Sequence, residues 1–135
     1  MIVGIGIDSV ETARFTPWKT YPRTRLQRIF SDEEINYCLA NTTKSAQRFA
    51  SRFAAREAFF KALATTIPGH TISLLAVCRH IKITRMPRGE TTVTVDWKKL
   101  LAQEPLTPYA PFTCLISATH TKTTTTVIIM LQKKQ

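Results

Sequence analysis

Three separated stretches of this chain carry residue types suited to phosphate-ester chemistry. Asp8 closes the run Gly4-Ile5-Gly6-Ile7-Asp8, Glu57 and Lys61 stand four apart in an alanine-rich run, and Ser117-Ala118-Thr119-His120-Thr121-Lys122 lies towards the far end. Two carboxylates supply the hard oxygen ligands that suit Mg²⁺, a cation that keeps waters and substrate phosphates around it. A lysine ammonium offsets the charge that builds on phosphates during transfer, while the metal polarises phosphoryl oxygens. Plainer accounts exist for the same residues. Asp8 also fits a turn aspartate at the end of a tightly packed strand. Glu57 points towards the apolar side of its segment, where an unpaired carboxylate is costly, so it is either half of a structural Glu57–Lys61 pair or a metal ligand.

Other chemistries find less support. Gly4-Ile5-Gly6-Ile7-Asp8-Ser9 lacks the third glycine of a dinucleotide fingerprint, and no Gly-Lys-Ser/Thr occurs. Ser117 and His120 weakly resemble a hydrolase pair, but no nucleophile elbow surrounds the serine. His70 and His80 stand alone and read as ordinary surface or strand histidines.

The elements that must position these residues follow from periodicity. Val3, Ile5 and Ile7 alternate with Gly4, Gly6 and Asp8, a strand whose glycine face allows close approach by backbone or ligand. Arg14 to Arg28 interleaves arginines with Phe15, Trp18 and Tyr21, a basic, aromatic-laced surface segment. Ser31-Asp32-Glu33-Glu34 has capping-box spacing and starts a helix to about Ala40. Ser45 to Ala64 holds neither Gly nor Pro and is the strongest helix signal. Within it Ala46, Ala50, Ala54, Ala58 and Ala62 form a smooth ridge beside Phe49, Phe53 and Phe60. Ile72 to Arg85 and Thr91 to Trp97 read as strands of a hairpin turned at Pro87-Arg88-Gly89. Trp97 to Gln103 reads as a short helix before the proline-rich Pro105 to Pro111. Phe112 to Ala118 and Thr125 to Leu131 are two further β segments, and Lys133-Lys134 is a solvated tail. The expected class is α+β, one domain over 1–135, with a long central helix packed on an antiparallel sheet.

Nineteen Lys and Arg against nine Asp and Glu give a net charge of +10, which favours a phosphate-bearing, membrane-surface or acidic-protein partner. Three distant cysteines, without a CxxC pair, suggest neither a disulfide framework nor a zinc site and fit a reducing cytosol. The first residues lack the basic region of a signal peptide, and no run is long enough for a membrane helix.

Taken together, three blocks in order resemble the holo-acyl-carrier-protein synthases. They are Val3-Gly4-Ile5-Gly6-Ile7-Asp8-Ser9-Val10-Glu11, Arg52-Phe53-Ala54-Ala55-Arg56-Glu57-Ala58-Phe59-Phe60-Lys61-Ala62 and Ser117-Ala118-Thr119-His120. The resemblance implies a Mg²⁺-dependent phosphopantetheinyl transferase of fatty acid biosynthesis, with coenzyme A as donor and an apo-acyl-carrier protein as acceptor. It implies that Asp8 and Glu57 bind the metal with the coenzyme A pyrophosphate and that Lys61 contacts the phosphates. Glu57 or a water on the metal then helps deprotonate the carrier serine. Thr119 and His120 become coenzyme A contacts, with Arg52 a candidate for the 3′-phosphate. It further implies a cytoplasmic homotrimer with active sites at subunit interfaces, in which Arg14, Arg25 and Arg28 hold the acidic carrier. Two departures stand out. Ala64-Thr65-Thr66-Ile67-Pro68-Gly69 replaces a Gly-Thr-Gly turn, which questions phosphate contacts from that loop, and Met86-Pro87-Arg88-Gly89-Glu90 replaces a Gly-Lys-Pro hairpin. A competing reading takes the charge and the segment Arg14 to Arg28 as a nucleic-acid-binding module, but it leaves Asp8 and Glu57 unexplained.

Overall fold

Small residues alternating with large ones give the first strand two faces with different tasks. The computed structural model describes residues 1–104 and 112–134, so the expected proline-rich break at 105–111 lies outside the described residues. Strand β1 (Ile2–Glu11) pairs antiparallel with β5 (Thr124–Lys133), which pairs antiparallel with β4 (Phe112–His120). The order in this sheet is β1-β5-β4. Register puts Gly6, Ile129 and Ile116 side by side on one face, followed by Asp8, Val127 and Ala118, then Val10, Thr125 and His120. The opposite face carries Ile5, Met130 and Leu115, then Ile7, Ile128 and Ser117, then Ser9, Thr126 and Thr119.

Helix α3 (Ser45–Thr66) lies across the glycine face. Its alanine ridge and the glycines of β1 let the two backbones meet. A Cβ on Gly6 would strike the Ala58 carbonyl and stand 2.8 Å from the Ala62 nitrogen. The ridge alanines 50, 54, 58 and 62 are fully buried, as are Val127, Ile129 and Leu131 beneath the helix. Burial of this kind, at roughly 25 cal/mol per Å² of apolar surface, is the main source of stability.

Between β1 and α3 the chain forms a 3₁₀ helix (Thr12–Thr20), α1 (Arg23–Leu26) and α2 (Asp32–Leu39). The aromatics here are core rather than surface, which corrects the expectation for Arg14 to Arg28. Phe15 is fully buried, and Trp18 sits among Phe15, Phe30, Phe49 and Phe53 at centroid distances of 4.6 to 6.1 Å. The arginines stay outside because their aliphatic stems cover these rings while their charges reach water. Trp18 and Tyr21 are partly buried, and Tyr21 is engaged by the Trp18 ring and by Arg25, which leaves little of either ring for stacking a base.

The predicted capping box is present: Glu34 donates its backbone N–H to Ser31 Oγ, and the Ser31 N–H donates to Glu34 Oε1. The same carboxylate accepts two bonds from Arg56, at 2.7 and 2.8 Å, in a pair where neither side chain is more than 2% exposed. This lock between α2 and α3 was not foreseen from the sequence.

After α3 comes α4 (Leu74–His80), capped by Ser73 Oγ, where only a strand was expected. The hairpin follows as β2 (Ile81–Arg85) and β3 (Thr91–Val95), with Gly89 at φ +97° in its turn. Trp97 leaves the strand pattern because Asp96 caps α5 (Trp97–Leu100), but its ring still packs inward on Phe59. Strand β4 extends beyond Ala118 to His120, and β5 reaches Lys133, which was expected in the tail. Among the described residues no helix is long and apolar enough to cross a membrane.

Candidate active site

Asp8 ends the glycine face of β1, so its carboxylate meets α3 where the ridge gives way to polar residues. Lys61 donates from Nζ to Asp8 Oδ1 at 3.1 Å and to the Ile7 carbonyl at 3.0 Å. The plainer account of Glu57 is thereby overturned: Lys61 pairs with Asp8, not with Glu57. The reason is reach, because the lysine stem extends across the seam to a strand that glycines have brought close. Glu57 is half-buried one turn earlier on α3, beside the crossing at Ala58, and takes part in no ion pair among the described residues.

Asp8 Oδ2 is buried and has no hydrogen-bond partner among the described residues. A carboxylate oxygen left this way costs free energy unless a cation completes it, so the donor set fits a hard metal ion. Among the described residues no three His, Cys, Asp or Glu come together. Two carboxylates with waters and substrate phosphates is the coordination that Mg²⁺ accepts and that a structural zinc site does not.

Two strand spacings away, about 10 Å across the sheet, the row Asp8–Val127–Ala118 reaches the wall of a cavity of about 250 Å³. Arg52, Thr119 and His120, separated widely in sequence, all line it. Arg52 is 5% exposed, its Nε lacks a partner, and burial pulls its guanidinium below the ordinary value. His120 Nδ1 is hydrogen-bonded to Gln47 Nε2 at 2.8 Å. Thr119 stands on the opposite sheet face beside Thr126, so it belongs to the cavity wall and to the outer surface at once. Among the wall residues not singled out from the sequence are Arg48, Arg85 and Tyr37. Arg48 precedes Arg52 by one helical turn, a spacing that marks a shared face. Nothing in the sequence marked Tyr37 or Arg85.

The arginines expected to meet a carrier lie elsewhere. Arg14, Arg25 and Arg28 are all exposed, Arg14 against the rings of Phe15 and Phe53 and Arg25 over Tyr21 at 3.9 Å.

Residues 4–114 match the family described as the 4′-phosphopantetheinyl transferase superfamily. The chain belongs to this superfamily. The holo-[acyl-carrier-protein] synthase of Treponema denticola is 34% identical over 132 residues, spanning 98% of this chain and 99% of that protein. The synthase structure from Neisseria meningitidis has a TM-score of 0.70 at 28% identity, covering 98% of this chain and 100% of its own. The synthase from Bacillus anthracis str. Ames, solved in complex with CoA (3′,5′-ADP), has a TM-score of 0.71 at 26% identity, covering 100% and 99%.

For a phosphopantetheinyl transferase, the altered loop now has a physical description. Helix α3 runs on to Thr66 in place of a glycine turn, and Ile67 N–H donates to Leu63. Thr66 Oγ1 bonds the Ala62 and Val3 carbonyls and fills the space over Gly4. Amides held in a helix are not free to receive a phosphate, so this stretch does not offer the backbone donors of a glycine turn.

Proposed function

We propose that this protein is a Mg²⁺-dependent holo-[acyl-carrier-protein] synthase, a single domain over 1–135, that moves the 4′-phosphopantetheine of coenzyme A onto a serine of an apo-acyl-carrier protein. The names of its relatives support the reaction, and the observation that carries the site is the buried, partnerless Asp8 Oδ2 beside the Lys61 ammonium. Asp8 and Glu57 would hold the metal, which when bound withdraws charge from the pyrophosphate oxygens.

An ammonium has three donors, and two on Lys61 go to Asp8 and Ile7. The third is open to a phosphate oxygen, and Lys61 is half-exposed, so the charge can meet an incoming substrate. The carrier serine oxygen forms a bond to the β-phosphorus. The bond from that phosphorus to the bridging oxygen breaks, and adenosine 3′,5′-bisphosphate leaves with the electron pair. Glu57, unpaired and half-buried, accepts the serine proton in this reading. Arg52 and His120 hold the nucleotide end, with Thr119 at the cavity rim.

The outer sheet face supports a homotrimer with interface sites. Ile5, Ile7 and Leu115 are 51%, 56% and 47% exposed around Ile128 and Met130, an apolar surface that a second copy would cover. Arg14, Arg25 and Arg28 would guide an acidic carrier. Free thiols at Cys38, Cys78 and Cys114 fit a cytoplasmic enzyme of fatty acid synthesis.

The test is mass spectrometry of an apo carrier protein incubated with the protein, coenzyme A and Mg²⁺. A gain of one phosphopantetheine is expected, abolished by chelation. No gain with several apo carriers would sink the reading.

A further inference from the structure

Tyr37 stands on the last turn of α2, against two cations of α3. The guanidinium carbons of Arg48 and Arg52 lie 4.0 and 4.3 Å from its ring centroid, and Arg48 Nη1 donates to the Tyr37 carbonyl at 2.7 Å. Like charges one helical turn apart repel, and a shared ring quadrupole offsets only part of that repulsion. Arg85 adds a third cation to the same cavity. Among the described residues no aspartate or glutamate lines this cavity, and Glu34 nearby is already bidentate to Arg56. The Nε groups of both Arg48 and Arg52 are buried without a partner among the described residues.

Glu33 and Glu34 lie on an adjoining cavity, but two guanidiniums gathered on one ring with no carboxylate on their own cavity wall describe a receptor for a multiply charged oxyanion. A terminal phosphomonoester carries up to two charges and presents three oxygens; a phosphodiester carries one charge and has two free oxygens. The terminal group is the better complement to two forks. Resting on the reading of this cavity as the nucleotide end of the site, we propose that Tyr37 is a positioning residue whose ring holds Arg48 and Arg52 as a joint receptor for the 3′-phosphate of coenzyme A. Arg48 then serves as the second arm beside Arg52. Selection of the donor for its 3′-phosphate depends on an aromatic side chain that itself makes no contact with that phosphate.

The probes are adenosine 3′,5′-bisphosphate and adenosine 5′-phosphate, titrated calorimetrically into wild type, Tyr37→Leu, Tyr37→Phe and Arg48→Met, with thermal melting of each. Wild type should prefer the bisphosphate. That preference should fall about tenfold in Tyr37→Leu, the scale of one desolvated cation–π contact. It should fall comparably in Arg48→Met and survive in Tyr37→Phe, which keeps the ring. A merely structural tyrosine would weaken both nucleotides alike and leave their ratio unmoved, which overturns the proposal, as does a wild type with no preference. Should Tyr37→Leu not fold, the other two variants decide: Arg48→Met must lose the preference and Tyr37→Phe must keep it. Transfer to the carrier reports separately on the activity. A transferring wild type whose preference ignores Tyr37→Leu refutes this inference alone, whereas a falling ratio in a protein that does not transfer refutes the activity alone.

Discussion

Gly6→Ala tests whether the helix–strand seam sets the geometry of the site. The added Cβ would lie 2.8 Å from Ala62 N and 2.9 Å from the Ala58 carbonyl carbon, against an ordinary contact of at least 3.4 Å. It would overlap the Ala58 carbonyl oxygen more severely still. All three atoms are backbone, so no rotamer change relieves them. Helix α3 must withdraw by roughly 1 Å, since cores transmit such strain rather than absorb it. Glu57 and Lys61 move with the helix while Asp8 stays on β1. Overpacking of this kind costs about 1–3 kcal/mol, a fall in Tm of roughly 3–15 °C for a domain of this size. An ångström of misplacement costs about 100-fold in kcat/KM, and half-saturation by Mg²⁺ should rise because that ion tolerates little departure from its bond lengths. The assay is steady-state transfer at several Mg²⁺ concentrations, with melting curves alongside. Gly69→Ala is the control, because it meets nothing within 4 Å and is strained only by its φ of +78°. It should lower Tm by a few degrees with activity per folded molecule intact. If Gly6→Ala keeps kcat/KM within about threefold at unchanged Mg²⁺ dependence, the seam does not hold the site.

Asp8→Ala and Glu57→Ala should each abolish transfer while leaving the melting temperature within a few degrees; near-normal turnover of either at low Mg²⁺ contradicts the metal assignment. Charge reversal at Arg14 and Arg28 together should raise the KM for carrier far more than that for coenzyme A and flatten the salt dependence, because steering by exposed charges is screened over about 8 Å at physiological salt. Kinetics with each substrate varied at several ionic strengths decide it, and equal effects on both substrates count against the role. Arg56→Met should cost about 3–5 kcal/mol in urea unfolding by stranding Glu34, and adding Glu34→Leu should recover most of it; a double variant no more stable than the single one shows that the cost is not the unpaired charge.

Local patterns made much of this legible. The alternation in Ile2 to Asp8, the alanine spacing of α3 and the Ser31–Glu34 box each report a period or a cap, and all three appear in the structure. Arg52, Thr119 and His120 were named from family blocks, and they do share a cavity. What escaped depends on long-range pairing. The partner of Lys61 lies 53 residues away, where helical spacing proposed a neighbour four residues away. The aromatics of the 3₁₀ helix looked like a surface because prolines and arginines surround them, yet Phe15 and Trp18 pack against Phe49 and Phe53 of α3 and extend the core. Helix α4 has only Ser73 as its signal, and its seven residues are too few for a period to show.

The buried Glu34–Arg56 lock bears on how the protein breathes. To detach α2 from α3, the chain must expose or strand a guanidinium that is fully enclosed, while Glu34 loses both of its bonds to Arg56. Opening α2 alone is therefore nearly as unfavourable as opening the core, and its amides should exchange with solvent at close to the slowest rates in the molecule. Residues 23–28 are held by the buried Leu26 and by exposed bonds from Arg23 to Asp32 and Asn36, but by no enclosed ion pair, and should exchange sooner. Tyr37 rides on the slow side of that boundary, so the cavity wall it forms with Arg48 and Arg52 should hold its shape while residues 23–28 open and close.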